Sequence, residues 1–557
     1  MIGPIFNIFI TNFIVIITCF SAGKIFNDKL KIKEEFSISL MCGVLALSQI
    51  SLILNFFTPI NSLVTYPLIF LSICYFILQK KLKTKLLKIT IISFFSIFFY
   101  FKGNHAEDFT IYHHINLQAI NDYKIILGLT HLKLNLGQSP ISFYGDAIFQ
   151  NLPFIKHKMN YLSYILFCSL IFFLYEKLKK KEYFEFSEYF LIISSVYFLI
   201  KFSRLGAHGA DFICVAIIII GLYFFLKINF DEVKNSNNHQ YIVLSSILIS
   251  NAYFYKVFAI SFYILLIAIL YLILKNKLLK KYYLLIIFII ILNLAFFLKN
   301  FLISGCLIFP IPQTCFDNLA WGMGTLKIND WKTINEAWTK GWYNYFTIEY
   351  QKYILNFNWL DTWLKNHFLK SLEKFFVPIF AIITLIKFMR NEVVYDTKYK
   401  INIVLIFFTS LIAVLIWFFN SPLIRLGLIA LIPFLIILLN LNLFKNFNFK
   451  IKKKNIFILL IVFPTFFIVK NTYRIIDASS NYEEYPYPRI NKDNKITIIK
   501  ESVITKKENG VFYKVYDGEK CFNIKFPCII KNKFKNKNFT FNNRNNYLIL
   551  KNQNEQN

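Results

Sequence analysis

Acidic side chains are scarce in this chain. Asp and Glu number 31 against 62 Lys and Arg, and charged residues of both signs fill 17% of 557 positions, well under the quarter or so usual in soluble domains. Hydrophobic residues reach 56% and aromatics 19%. Together these values exclude a cytoplasmic enzyme, a secreted disulfide scaffold and a disordered tail protein. Glycine is rare too, with 17 residues beside heavy use of Ile, Lys, Asn, Phe and Tyr, a pattern of AT-rich coding that raises lysine without any function. No basic stretch precedes Ile5 and no small-residue cleavage site follows soon after it. The first apolar run therefore reads as a permanent span and not as a signal peptide.

What the chain has in abundance is apolar runs long enough to cross roughly 30 Å of hydrocarbon. Fourteen are placed at about 4–22, 36–56, 62–79, 84–101, 160–175, 186–200, 209–226, 240–255, 257–274, 282–301, 371–387, 401–419, 425–444 and 455–470. Alternate connectors, at 24–35, 80–88, 176–185, 227–239, 275–281, 387–400 and 445–454, hold 28 Lys and Arg, whereas the short connectors at 57–61, 201–208, 251–256 and 420–425 hold 4. Membrane insertion keeps Lys and Arg of short loops on the cytoplasmic side. The expectation is thus a multi-pass protein of a bacterial inner membrane with both termini and every long loop on the periplasmic, external side. Its weakest point is the separation of 240–255 from 257–274 across Asn251 to Lys256, on which the alternation depends. The net charge of +31 then anchors spans at anionic headgroups, and no nucleic acid is expected as a partner.

The expected organisation is four spans in 1–101, a first large external loop at 102–159, six spans in 160–301, a second, Trp-rich external loop at 302–370, four spans in 371–470 and an external tail at 471–557. The tail carries short alternating stretches, Ile496 to Lys500, Gly510 to Tyr516, Phe522 to Phe526 and Tyr547 to Leu550, separated by Asn, Lys, Asp and Gly, which predict a small β-rich domain. The fold class expected is therefore an all-α polytopic membrane protein with about 14 transmembrane helices and a small β-rich external C-terminal domain. Cys19, Cys42, Cys74, Cys168 and Cys214 fall in or beside apolar runs and read as small hydrophobes. Cys306 with Cys315 and Cys521 with Cys528 form two close pairs on the oxidising side, the pattern of local disulfides.

Function is sought in polar groups that a membrane does not tolerate for free. The richest stretch is Gly103 to His114, which contains His105, Glu107, Asp108, Tyr112, His113 and His114. Apolar residues at 111, 115, 119, 120 and 123 predict a helix along the interface, with Asp108 and Tyr112 four residues apart on one face. A capping role explains Glu107 and Asp108 alone but not the histidines and tyrosine gathered beside them. No H-x3-H spacing marks a metal site, and assistance by a divalent ion (Mg or Mn) is left open. Asp146, in the amphipathic stretch Ile141 to Ile155, reads as a solvated face residue. Trp321, Trp331, Trp338, Trp342 and Trp363 suit sugar stacking, yet indoles also favour membrane interfaces, and the interface reading prevails.

These residues resemble a known family. Glu107-Asp108-Phe-Thr-Ile-Tyr112-His113, Gly128-Leu-Thr-His131-Leu and Ser139-Pro-Ile-Ser142-Phe-Tyr look like the first external loop of GT-C type glycosyltransferases and of a related bacterial family of multi-spanning proteins. Ser203-Arg204-Leu-Gly-Ala-His208-Gly-Ala-Asp211 resembles that family's short external loop, Lys299-Asn300 through Pro310 its span-to-loop junction, and Ser421-Pro422-Leu-Ile-Arg425-Leu-Gly427 its late arginine motif. Cys521-Phe-Asn-Ile-Lys-Phe-Pro527-Cys528 resembles the tail of the bacterial family. The resemblance implies a GT-C-like fold, a polyprenyl-phosphate sugar as donor, and an acidic loop residue, Asp108 with Glu107 beside it, as catalytic base.

Chemistry agrees with that implication. An external transferase has no nucleotide sugar, so its donor arrives on a lipid phosphate, and the site needs a base for the acceptor hydroxyl and cations for the leaving phosphate. Arg204, His208, Lys256, Lys299 and Arg425 are the external cations, with Tyr112 and His113 beside the base. Arg425 is the first choice for phosphate because a guanidinium forks onto two oxygens; snorkelling to outer headgroups is its plain alternative. The acceptor is a glycan, lipid or protein of the envelope. A lipid-linked glycan transporter or flippase, a surface-polysaccharide polymerase or ligase, and a non-catalytic envelope assembly protein are the competing expectations. A transporter would carry mid-span charges and paired broken helices, and neither is evident in the sequence.

Overall fold

A computed structural model describes residues 2–33, 35–100, 108, 112–152, 160–179, 183–201, 209–230, 236–342, 349–440, 445–481, 503–517, 524–530, 539–544 and 547–552. Each of the fourteen apolar runs falls on helix, from Ile2–Lys29 and Phe36–Asn55 near the start to Ile424–Leu438 and Lys453–Asn481 near the end. Among the described residues, seven of these helices are long and apolar enough to cross a membrane by themselves. The chain is therefore a mostly helical, multi-pass membrane protein with small separate sheets. The crossing helices differ in surroundings. Phe36–Asn55 and Tyr161–Leu178 are 78% and 72% buried within the protein, whereas Leu279–Ser304 is 33% buried although it is among the most apolar. Its outward Leu284, Ile287, Ile291 and Leu294 form a greasy face that only lipid can cover at no cost.

The first two spans pack backbone to backbone. A Cβ on Gly23 would lie 1.7 Å from the Ser39 carbonyl oxygen, and one on Gly43 would lie 1.7 Å from that of Cys19. Small residues four apart on each helix permit this approach, which is how apolar helices gain contact when lipid removes the hydrophobic drive between them. The helix breaks at Lys256: Ser236–Tyr255 ends before it, a 3-10 turn Val257–Phe262 follows, and Tyr263–Lys275 resumes the helix.

The connectors sort into two sets. Lys177 pairs with Glu35 at 2.7 Å, Lys88 with Glu176 at 3.4 Å and Lys227 with Glu185 at 3.1 Å, while His239 reaches both the Leu30 carbonyl and the Tyr282 hydroxyl. Three of the basic connectors also contribute strands to one antiparallel sheet, Tyr183–Glu185 and Arg390–Tyr399 flanking Lys445–Ile451. Short charged segments carry little alternation, so the sequence did not announce this sheet. The other connectors meet one another as well. The Ile60 amide donates to the Ile120 carbonyl, the Gly128 amide to that of Leu302, and the Trp363 indole to that of Pro422.

The tail holds an antiparallel pair Val503–Glu508 and Val511–Tyr516 with Cys528–Ile530 added in parallel, and a hairpin Phe539–Arg544 with Tyr547–Asn552. The stretches from 510 and 547 are strands as expected, residues 496–500 lie outside the described residues, and 503–508 and 539–544 are strands the alternation did not reveal. The domain docks on the first long loop through a bridge between Leu127 and Ile549, and on the end of the helix Phe36–Asn55 through the Tyr547 hydroxyl, which donates to the Phe56 carbonyl. Cys306 and Cys315 are joined. Cys528 is disulfide-bonded, and Cys521 lies outside the described residues.

Candidate functional site

Asp108 is helical and partly exposed. Four residues on, Tyr112 and His113 form a π-type turn that leads into the helix His114–Asp122. This helix is shorter than the periodicity predicts and does not float on the interface: His114, Asn116, Leu117, Ala119 and Ile120 are buried. Behind it lies Ile141–Gln150, whose ten residues are all buried. Asp146, expected on a solvated face, is fully enclosed, with its carboxylate accepting from the backbone amides of Leu162 and Tyr161 at the start of the next span. Burial pushes its carboxyl well above the usual range. The amphipathic pattern was right about an apolar face and silent about what covers the polar one.

Asp211 opens the helix Asp211–Lys227. One turn inward, the Cys214 thiol donates to the Ala252 carbonyl at 3.3 Å, which sets the start of this helix beside the end of Ser236–Tyr255. Lys256, the first residue beyond that end, places its ammonium 2.6 Å from Asp211 Oδ1. Arg425 approaches from a third segment, its Nε 4.0 Å from Asp211 Oδ2. Its turn is held by two indoles: Trp363 donates to the Pro422 carbonyl and Trp417 to that of Leu423, each at 2.8 Å. A Cβ on Gly427 would lie 2.5 Å from the Trp417 ring, so glycine alone fits there. Tyr112 ties these segments to the first loop. Burial raises its phenol above the ordinary range, the carboxylates of Asp108 and Asp211 raise it further, and Arg425 pulls the other way. The phenol therefore keeps its proton and can donate it in a hydrogen bond.

Of the residues singled out from sequence, Lys256 and Arg425 come together at Asp211, and Tyr112 lies within electrostatic reach of Asp108, Asp211 and Arg425. Asp211, quoted within the short-loop motif but given no role, is the group that links the two cations; its place at the head of an apolar run was the available signal. Lys299 corrects the reading. It is fully buried, with its ammonium donating to the Ser139 carbonyl at 2.7 Å over the Phe296 ring, and it is no surface cation. His113 is also buried, its ring packed on Phe143. Glu107, Arg204, His208 and His105 lie outside the described residues. Of the five tryptophans, Trp342 and Trp363 are buried with Trp359 in the core of the second loop, Trp321 and Trp331 are half-buried, and Trp338 is exposed. Among the described residues no three His, Cys, Asp or Glu side chains are placed to hold a metal ion.

A family model described as a domain of unknown function, DUF8201, matches residues 6–432, and the chain belongs to that family. The match spans Asp108, Tyr112, Asp211, Lys256 and Arg425 and stops short of the tail. Neither a curated protein nor a solved structure matches the chain.

Proposed function

We propose that this DUF8201 chain is a GT-C type membrane glycosyltransferase, which moves a sugar from a polyprenyl-phosphate donor to an envelope glycan, lipid or protein acceptor on the external face of a bacterial inner membrane. In this reading the fourteen helical runs are all spans. The observation that carries it is a group of two carboxylates, one protonated phenol and two cations: Asp211 holds Lys256 and approaches Arg425, and Tyr112 feels the charges of Asp108, Asp211 and Arg425, all at the ends of apolar helices. A lipid-borne phosphate reaches that level without leaving the bilayer.

In the reaction, Asp108 takes the proton of the acceptor hydroxyl as its oxygen attacks the anomeric carbon. The bond from that carbon to the phosphate oxygen breaks, and Lys256 and Arg425 stabilise the charge that gathers on the phosphate. In this reading Tyr112 donates to the same oxygens. Positioned general-base catalysis contributes about 10²–10⁴-fold. Asp108→Asn should accordingly abolish transfer from a polyprenyl-phosphate sugar while leaving membrane insertion and thermal unfolding unchanged. Full activity in that variant would remove Asp108 as the base.

A further inference from the structure

We propose that Asp211 occupies the seat of the donor phosphate when no donor is present, and that a phosphate carried on an apolar chain binds by displacing it. The inference rests on the reading above of Lys256 and Arg425 as phosphate-binding cations. It starts from shape. One carboxylate oxygen of Asp211 faces Lys256 at 2.6 Å and the other turns toward Arg425 at 4.0 Å, so its two oxygens span the two cations as two oxygens of a phosphate would, the Arg425 contact closing on binding.

The occupancy is also incomplete. Arg425 Nε makes no hydrogen bond among the described residues, and a 4.0 Å approach is too long for one. Exposure points the same way, because the Asp211 side chain is 15% exposed while those of Lys256 and Arg425 are 33% and 39% exposed. The anion sits inside and the cations present themselves outward. Asp211 also lies in the first turn of a 17-residue helix, where backbone amides favour negative charge, so an arriving phosphate and the displaced carboxylate both find donors. The apolar chain is inferred from level: Arg425 begins the apolar helix Ile424–Leu438 directly after Ile401–Asn420 ends, which puts the seat at the edge of the bilayer.

The competition is tested with full-length protein in detergent, titrated with citronellyl phosphate, which carries a phosphate on a short prenyl chain and has no sugar to transfer. Asp211→Asn should tighten binding about three- to tenfold at fixed ionic strength, and Arg425→Ala added to it should cancel the gain. Asp211→Glu keeps the competing charge, so it should bind no more tightly than the parent. Should Asp211→Asn fail to fold, the parent protein supplies the test: acylation of Lys256, slow while it is paired, should be slowed further by saturating probe, and unchanged labelling would overturn the displacement. Unchanged or weaker binding by a folded Asp211→Asn variant would also overturn it. If Lys256→Met and Arg425→Ala leave probe binding intact, the phosphate reading of the cations itself fails; if they weaken it while Asp211→Asn gives no gain, displacement alone fails. Equal binding of inorganic phosphate would overturn the lipid-borne class of ligand.

Discussion

The two ends of the helical bundle use the same residue types to opposite effect. At the end built from basic connectors, Glu188 is fully buried and receives the Tyr223 hydroxyl at 3.0 Å, the Ser187 hydroxyl at 3.1 Å, the Glu185 amide at 2.9 Å and the Lys227 ammonium at 2.8 Å. Lys227 closes its helix, and the Asn402 amide reaches the last carbonyls of that helix, Phe225 and Ile228 among them. At the other end of the same helix, Asp211 holds Lys256 closely and Arg425 loosely, and both cations keep a third of their surface open or more. One helix thus ends in a saturated charge cluster and begins in an unsaturated one. Chemistry needs the second kind, since a group whose hydrogen-bonding capacity is used up has nothing left for a substrate.

The largest expected effect tests the saturated end. Glu188→Ala leaves the nearly buried Lys227 ammonium with only the more exposed Glu185 and removes an acceptor from three further donors, so it should cost about 3 kcal/mol in thermal or denaturant unfolding. Asp211→Asn, at the partly open end, should change stability by about 1 kcal/mol or less. Comparable losses from the two variants would erase the distinction between the closed cluster and the partly open one.

The next effect concerns pH and the contact between the two long loops. Burial, with Lys327 nearby, holds His131 at about 4, against the pull of its hydrogen bond to the Trp321 carbonyl. The unfolded chain binds that proton with an ordinary value near 6.5. A histidine whose folded value is depressed adds its full share of stability above pH about 6.5, and loses it as the pH falls through the window from 6.5 to 4. The loss should reach about 3 kcal/mol by pH 4, measured as unfolding of the parent against His131→Asn. His131 ties the first long loop to the second, so the loosening should appear there and not at the Glu188 cluster. A His131→Asn variant with the parent's full pH dependence would place the titrating group elsewhere.

Much of the bundle was legible because a single variable, apolar length, dictates where its long helices run. The narrow break at Lys256 was expected from the sequence and is present as the end of one helix and the start of a 3-10 turn. The sheet formed by 183–185, 390–399 and 445–451 was not legible, because its strands pair across the whole chain and carry no alternation of their own. Asp146 was misread for a related reason: a helix pattern records which face is polar, and only packing decides whether water or a neighbouring helix meets it. Lys299 shows the same limit, since its place at a span end looks identical to that of Lys256 until the Ser139 carbonyl appears above it. Asp108, Tyr112 and Arg425 were visible as motif residues, whereas the part of Asp211 depends on a meeting of three segments that no local spacing encodes.

The smallest effect bears on whether the open end recognises phosphate or merely faces headgroups. Arg425 is placed by Trp363, Trp417 and Gly427, a costly arrangement for a side chain that only has to reach the membrane surface. A guanidinium offers two parallel donors to a phosphate, and an ammonium in its place keeps the charge but loses the fork. Arg425→Ala should therefore weaken binding of a polyprenyl-phosphate donor by about tenfold, close to 1.4 kcal/mol. Arg425→Lys should fall between that variant and the parent. Equal donor affinity in the two variants would assign Arg425 to the headgroups, and with it would go the proposed seat that it shares with Lys256.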